Sequence, residues 1–288
     1  NTGHSFSVLK KSPLLKVVYR EVLNFNPDQA KDVINKIQSE LSAFVADNLL
    51  SIGLSPHAPY SVSKELYQAI AQLTKKTGIP VSTHIAETQD EIEFLKKGTG
   101  NFHILLKQLR VLTEKWQPPG LAPIQYLKET GILGNHTILI HCNYVTDEEI
   151  STIKSSGASV AFCPRSHHYF GHTNHPIQRL LDAGINLGLG TDSLASNDTL
   201  SILDEMKFLF LHYSISPKTL LAIATINGAK ALGLESKVGQ IKEGFEADLC
   251  AIRLPDCHND NVYNQLFDVA SKNIFTMVAG AICYNVSS

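Results

Sequence analysis

The feature that most constrains the fold is a repeated alternation of apolar, strand-like runs with segments of helical character. Six such runs occupy residues 15–25, 49–56, 79–87, 137–145, 158–164 and 185–193. They are apolar throughout instead of alternating with polar residues, which is typical of parallel strands covered on both faces. Because strands and helices alternate along the chain, the sequence predicts an α/β fold built from βα units.

Some connecting segments carry recognisable boundary signals. Thr146 and Glu149 form a capping-box pattern at the start of one helix, and Gly78 marks the end of another. Residues 98–125 follow the third strand-like run and are expected to be an insertion that acts as a lid or substrate loop.

The last part of the chain is organised differently. A long helix pair is expected at 198–213 and 217–232, with Asn197 or Asp198 as the N-cap of its first helix. Short strand-like runs with Gly turns follow, and they predict that 236–288 holds a small β element outside the main fold.

Size and charge limit the classes of partner. The 288 residues are 43% hydrophobic, which is enough for one large α/β barrel. Lys and Arg total 25 against 27 Asp and Glu, without a basic run, so no nucleic-acid partner is expected. The chain contains no apolar run of about 18 residues, so no membrane span is expected. The sequence is compatible with a homo-oligomer.

The cysteines argue against a disulfide framework. They are odd in number and include no CxxC pair: Cys142, Cys163, Cys250, Cys257 and Cys283. Reduced thiols in a cytoplasmic protein fit this pattern better than disulfides or a Cys-based zinc site. Cys142 and Cys163 lie in strand-like runs and are expected to be small core residues.

Polar residues stand at the ends of the predicted strands. They are His57, His84, His141, Arg165 and Asp192. In a barrel, the carboxyl ends of parallel strands converge on one face, which is where active sites lie. We therefore expect residues that are far apart in sequence to become neighbours there.

The types of these residues suit a metal-dependent hydrolase. His84 and Glu87 form an HxxE pair, in which the imidazole is a good zinc or iron ligand and the carboxylate can shuttle protons. Each residue also has a structural interpretation: His84 can cap local backbone, His141 can be a buried histidine satisfied by backbone, and Asp192 can cap a helix. Three such strand ends in one chain favour the functional interpretation.

Several blocks of the sequence, between residues 49 and 282, resemble the amidohydrolase superfamily. They are PHAPYSV, STHIAET, LIHCNYV, FCPRSHHYFGH, LGTDSLASN, ATINGAKALGL and VGQIKEGFEADL, and they occur in the order of the family. The resemblance is closest to the aminohydrolases that deaminate rings, together with related chlorohydrolases. It implies a TIM-type (β/α)8 barrel and a bound divalent metal, zinc first and iron second.

The resemblance also implies roles for individual residues. His84 is expected to ligate the metal, and Asp192 to ligate it and to accept the proton of the attacking water. His141 would hydrogen-bond that water, or ligate the metal as in some members. Glu87 matches the acid that protonates a ring nitrogen of the substrate, and His57 a substrate-contacting residue.

Arg165 has two interpretations that the sequence leaves open. Its guanidinium could hold a carboxylate or phosphate of the substrate by a two-pronged contact. It could equally form an ion pair that supports its loop. With the His-rich segment 167–175, the first interpretation hints at a polar or anionic group on the substrate.

One element of the family pattern is absent from the sequence. The family requires an HxH pair at the end of the first barrel strand, and no HxH occurs among the 288 residues. His4 stands alone, whereas His168, His172 and His175 have the wrong spacing and are expected in a substrate loop or at the surface.

We therefore expect the chain to be a segment of a longer protein. The alternative is a protein that truly lacks the first strands, whose open sheet edge would then need a partner chain. Residues 1–235 would supply strands 3 to 8 of the barrel, and 236–288 the C-terminal part of a small β domain. Two or three ligands bind a divalent ion poorly, so we expect weak or absent metal binding in this segment alone.

The predicted function is deamination of a purine-, pyrimidine- or nucleoside-like small molecule by metal-activated water. Glu87 favours deamination over the first alternative, hydrolytic dehalogenation of a similar ring. The second alternative is a non-catalytic scaffold that keeps the fold without the metal, and the missing HxH pair supports it.

Overall fold

A computed structural model describes residues 6–45, 47–113, 116–255 and 262–286, so His4 and Cys257 lie outside the described residues. The strands are β1 (Lys16–Val22), β2 (Leu50–Pro56), β3 (Val81–Ile85), β4 (Thr137–His141), β5 (Ser159–Phe162), β6 (Leu187–Leu189), β7 (Leu249–Arg253), β8 (Lys272–Val278) and β9 (Ala281–Asn285). Each of the six predicted strand-like runs contains one of the strands β1 to β6.

The helices lie between these strands. They are α1 (Phe6–Leu9), α2 (Ala30–Ala43), α3 (Lys64–Thr77), α4 (Gln89–Lys97), α5 (Asn101–Gln108), α6 (Pro123–Thr130), α7 (Asp147–Ser156), α8 (Pro164–Tyr169), α9 (Ile177–Asp182), α10 (Ile202–His212), α11 (Pro217–Ala224), α12 (Ile226–Ala231) and α13 (Val262–Leu266). Among the described residues, no helix combines the length and the apolar character that crossing a bilayer requires.

The chain divides into two units. The first consists of Asn1–Ala161 and Asn174–Ile185, and the second of Phe162–Thr173 and Asn186–Ser288. The division predicted from the sequence, into a barrel over 1–235 and a small β domain over 236–288, stays a prediction.

Parallel strand pairing organises the first unit. β1 pairs with β2 along its whole length, β3 pairs with β4 from Val81 opposite Thr137 to Ile85 opposite His141, and β4 continues to β5. Leu54 of β2 lies opposite Val81 of β3. Because all these strands are parallel, their carboxyl ends lie along one edge, and His57, His84 and His141 are brought to that edge.

Local hydrogen bonds explain where the helices of this unit begin and end. Ser63 caps α3 by accepting from Leu66 N–H, and Gly78 ends it in the left-handed conformation, as predicted. The capping box of Thr146 and Glu149 at α7 is confirmed. The segment 98–125 contains α5 and the start of α6, and its role as a lid stays a prediction.

In the second unit, two details differ from the sequence prediction. The N-cap of α10 is Ser201, whose hydroxyl accepts from Asp204 N–H, so the assignment of the cap to Asn197 or Asp198 was wrong. The expected helix 217–232 is two helices, because Thr225 has φ −125° and ψ −93° and interrupts the helical geometry.

The C-terminal β element is confirmed. β7, β8 and β9 form an antiparallel sheet in chain order. The turn between β8 and β9 consists of Ala279 and Gly280, with φ of 48° and 80°. Gly accommodates this conformation without steric cost, and a turn with positive φ at both residues suits the twist of a hairpin.

Candidate active site

Left-handed backbone marks the strand ends that carry the candidate residues. Ala86 follows β3 with φ 50°, His141 ends β4 with φ 72°, and Asp192 follows β6 with φ 58°. Residues other than Gly adopt this conformation at a cost, and they cluster at functional sites. The same conformation also occurs at Arg110, Asn174 and Ala279, so it is compatible with a functional role of these turns but does not by itself assign one.

Three histidines form a row at the strand edge of the first unit. The ring centroids of His57 and His84 are 4.8 Å apart, and those of His84 and His141 are 5.6 Å apart. Burial, followed by the nearby His84, lowers the pKa of His57 below its ordinary value and favours its neutral form. The expected meeting of distant strand ends is confirmed for these three residues.

A hydrogen bond fixes the orientation of the His84 ring. Its Nδ1 lies 2.9 Å from the carbonyl oxygen of His57. A carbonyl only accepts, so Nδ1 donates, which leaves Nε2 with the lone pair that a metal needs. Metal-ligating histidines are commonly held by such a bond on their other nitrogen. In donor type and tautomer, His84 fits a divalent ion.

The described residues do not provide a complete cluster of side-chain ligands for a metal ion. Within the described ranges, no group of three or more His, Cys, Asp or Glu side chains could hold a metal ion. The donors that do fit are imidazole and carboxylate, which suit zinc and iron.

Glu87 reaches the histidine row from the turn after β3. Its Oε1 lies 3.5 Å from His141 Nε2, and the two side chains are 17% and 3% exposed. A carboxylate and an imidazole at this separation in a largely buried site can exchange or share a proton. The amide of Asn143 donates to the Glu87 carbonyl at 3.0 Å, which holds the turn in place.

An aromatic pair lies beside this row. Tyr60 and Phe102 are stacked with centroids 3.8 Å apart, and Tyr60 meets His57 edge to face. Burial, and then the negative charge of Glu87, raises the pKa of Tyr60 well above its ordinary range, so its hydroxyl stays protonated. Phe102 belongs to the segment 98–125, which thus contributes a side chain near the row.

In the second unit, three hydrogen bonds hold the Asp192 carboxylate. Its Oδ2 accepts from Ser166 Oγ at 2.7 Å and from Ser196 Oγ at 2.8 Å, and its Oδ1 accepts from Ser193 N–H at 2.8 Å. Accepting from these three donors fixes the orientation of the carboxylate. This arrangement suits a metal ligand or a base with a defined orientation.

Arg165 forms ion pairs within its own loop region. Its Nη2 pairs with Asp198, its Nη1 donates to Thr199 Oγ1 at 2.7 Å, and its N–H donates to Glu205 Oε2 at 3.0 Å. Burial raises the pKa of Glu205 above its ordinary value, against the opposing effect of these contacts. The contacts correspond to the ion-pair interpretation, and binding of a substrate anion by Arg165 stays a prediction.

The His-rich segment contains both buried and exposed residues. His168 is exposed, whereas His175 is buried and its Nε2 donates to the carbonyl of His141 at 2.9 Å. Of the two expected positions, the surface is wrong for His175, because its ring is buried against the end of β4, whereas a position in a substrate loop stays a prediction. In the second unit His167 is also buried, and burial together with His172 lowers its pKa to about 4.

Sequence reasoning missed several residues that shape the site. They are Tyr60, Glu91, Phe102, Asn143 and Ser166. Glu91 had a detectable signal, because Thr88 three residues before it repeats the Thr–x–x–Glu pattern of a helix start. Ser166 lies inside the quoted block FCPRSHHYFGH, but nothing local indicates that its hydroxyl meets Asp192.

Comparison with known proteins gives a consistent result. The Amidohydrolase family model matches residues 4–283. The 5-methylthioadenosine/S-adenosylhomocysteine deaminase of Pyrococcus furiosus is 33% identical over 264 residues, which is 89% of this chain and 55% of that protein. The chain thus spans about half the length of the curated relatives it matches.

Solved structures share the fold. The aminofutalosine deaminase of Helicobacter pylori in complex with methylthio-coformycin superposes with a TM-score of 0.83 at 26% identity, over 98% of this chain and 70% of that one. A zinc-bound adenosine deaminase of Xanthomonas campestris shares the fold at 24% identity, with a TM-score of 0.77 over 97% and 63%. The predicted fold class, an α/β (β/α)8-type chain with a small C-terminal β element, is confirmed, and the chain belongs to the amidohydrolase family.

Proposed function

We propose that the protein deaminates an adenosine-like nucleoside by metal-assisted hydrolysis. One observation carries the proposal: the Glu87 carboxylate lies 3.5 Å from His141 Nε2, beside an oriented His84. A carboxyl group held beside a buried imidazole is a suitable proton donor for a ring nitrogen next to an attacked carbon. The deaminase names of the similar proteins support an adenosine-like substrate in particular.

In this proposal, roles are assigned to the candidate residues at the strand ends. We assign metal ligation to His84 Nε2 and to the Asp192 carboxylate, and His141 contributes either as a ligand or as a hydrogen-bond donor. When bound by these residues, a divalent ion, zinc first and iron second, would supply the charge that lowers the pKa of a water towards neutrality. Asp192 accepts the proton that the attacking water loses, and its three donors keep the carboxylate oriented.

The remaining steps concern the substrate. Glu87 donates a proton to the ring nitrogen beside the attacked carbon, so that negative charge does not accumulate on the ring. The proton that Asp192 took from the water then passes to the exocyclic amine, which leaves as ammonia. The ring nitrogen keeps its new proton, and the hydroxyl proton on the attacked carbon returns to Glu87 as the carbonyl forms. We assign to His57 a contact with the substrate, because its neutral ring lies beside His84. Among the described residues, Cys142, Cys163, Cys250 and Cys283 form no disulfide, which supports a cytoplasmic location.

The test uses the full natural chain loaded with zinc. We expect ammonia release from a panel of 5′-substituted adenosines, and a loss of at least about 100-fold in kcat for Glu87→Gln, which keeps the shape and removes the proton donor. Glu148→Gln, at an exposed acid in the first turn of α7, is the matched control and should keep its activity.

Other outcomes select the alternatives. Chloride release from a halogenated ring without ammonia release would select dehalogenation. Absence of tightly bound metal in the full natural chain, with no activity on either panel, would select the scaffold. If Glu87→Gln changed nothing in an active enzyme, the assignment of Glu87 would be wrong.

A further inference from the structure

The turn that carries Glu87 has two peptide N–H groups that no strand or helix satisfies. A side chain satisfies them instead: Glu91 Oε1 accepts from Ala86 N–H and Glu91 Oε2 from Glu87 N–H, both at 2.9 Å. The Glu91 side chain is completely buried. The Glu91 carboxyl group therefore holds both peptides of the turn, one with each oxygen.

The two peptide carbonyls of the same turn also accept hydrogen bonds. The Ala86 carbonyl accepts from Tyr144 N–H at 3.0 Å, and the Glu87 carbonyl accepts from the Asn143 amide at 3.0 Å. The backbone of Glu87 is thus fixed from both sides. The side chain of Glu87 extends from this fixed turn towards His141.

Helix capping alone does not account for Glu91. It stands at the third position of α4, where a capping-box Glu bonds to the N–H of the N-cap residue, here Thr88. Glu91 instead reaches one and two residues further back, to Glu87 and Ala86. Burial raises its pKa to about 8, so its ionised form is costly to keep at this place.

We propose that Glu91 is a positioning residue that fixes Glu87 in the geometry of proton transfer by accepting both N–H groups of its turn. This inference rests on the proposed role of Glu87 and extends it. Proton transfer needs donor and acceptor within hydrogen-bond reach, and a displacement of about 1 Å lowers the rate strongly. Ala86 has a left-handed backbone, so the turn depends on the two hydrogen bonds from its N–H groups to Glu91 to keep this conformation.

The first experiment does not depend on activity. Hydrogen exchange of the Ala86 and Glu87 amides is measured in the full natural chain, in the wild type and in Glu91→Gln. Gln offers one acceptor oxygen, so we expect strong protection of both amides in the wild type and loss of protection for at least one in the variant. Rapid exchange of both amides in the wild type would overturn the proposal, even if Glu91→Gln did not fold.

The second experiment measures kinetics. We expect Glu91→Gln to lower kcat about tenfold or more with KM changed less than threefold, because substrate contacts remain while Glu87 is displaced. In a Glu87→Gln background, the same change should have little further effect on kcat, since the residue that it positions has already lost its function.

Glu149→Gln is the matched control, because Glu149 is a similarly buried Glu at the same position of α7. It should destabilise the protein but leave kcat near that of the wild type. An equal fall of kcat in both variants would show a merely structural role and overturn the proposal. If the wild type released no ammonia, the proposed function would fail, whereas the exchange experiment would still decide whether Glu91 holds the turn.

Discussion

Helices α4 and α7 each follow a strand of the first unit, and each begins with a threonine cap and a buried glutamate three residues later. At α7, Glu149 closes a capping box with Thr146 and also accepts from Ile124 N–H at 3.0 Å. At α4, Glu91 accepts from the two peptides that precede the cap.

The length of the preceding turn explains this difference. Two residues separate the end of β3 from the cap Thr88, whereas four separate the end of β4 from Thr146. In the short turn before α4, Glu91 at the third helical position therefore reaches Ala86, the first residue after β3. The residue directly before the cap is Glu87 in one case and the buried Val145 in the other. The same capping pattern thus serves packing at α7 and a candidate catalytic turn at α4.

The largest effect on stability is expected on the α7 side. Glu149→Ala removes the acceptor of Ile124 N–H, Thr146 N–H and the Thr146 hydroxyl. Leaving the buried Ile124 N–H without a partner costs roughly 1–3 kcal/mol, and each part-buried Thr146 bond contributes about 1 kcal/mol, so we expect a loss of about 4 kcal/mol in the free energy of unfolding. Denaturant titration measures it, and a loss below that of Glu91→Ala would reverse the comparison.

The next effect is a dependence of the unfolding free energy on pH, which is expected on the α4 side. The pKa of Glu91 is raised by burial to about 8, above its unfolded value of 4.5. Between these values the unfolded chain releases a proton that the folded chain keeps, so the stability contributed by this group is fully present below pH 4.5 and is lost as the pH rises to about 8.

Relative to Glu91→Gln, the wild type should therefore lose up to about 1.4 kcal/mol of unfolding free energy for each pH unit in this window. Parallel denaturation curves from about pH 4 to about pH 9 measure the difference. Thr88→Ala keeps the Glu91 carboxyl and should retain the slope of the wild type. A difference that stayed constant with pH would contradict the prediction.

The smallest effect concerns the two caps. Thr88→Ala and Thr146→Ala each remove a hydroxyl that accepts from a helix N–H, which costs about 1 kcal/mol. We expect the Thr146 change to cost more, because its hydroxyl also donates to Glu149. Shifts of the thermal midpoint measure both, with Ser151→Ala in the body of α7 as the control. An equal or smaller shift for Thr146→Ala than for Thr88→Ala would contradict this order.

Much of the fold and part of the site could be predicted from the sequence. The six strands, the capping box at Thr146 and the meeting of His57, His84 and His141 follow from apolar runs and from parallel strand order. The break at Thr225 and the cap at Ser201 could not be located, because several polar residues near each boundary were equally suitable by type.

The sequence by itself determined which residues stand at the strand ends and which start helices, because these features depend on contacts within a few residues. Only the tertiary structure decided how those residues are held. The bond from Asn143 to the Glu87 carbonyl joins residues 56 apart, and that from Ser166 to Asp192 joins residues 26 apart. Such bonds exist only after the strands have paired, since strand pairing brings distant turns within hydrogen-bond distance.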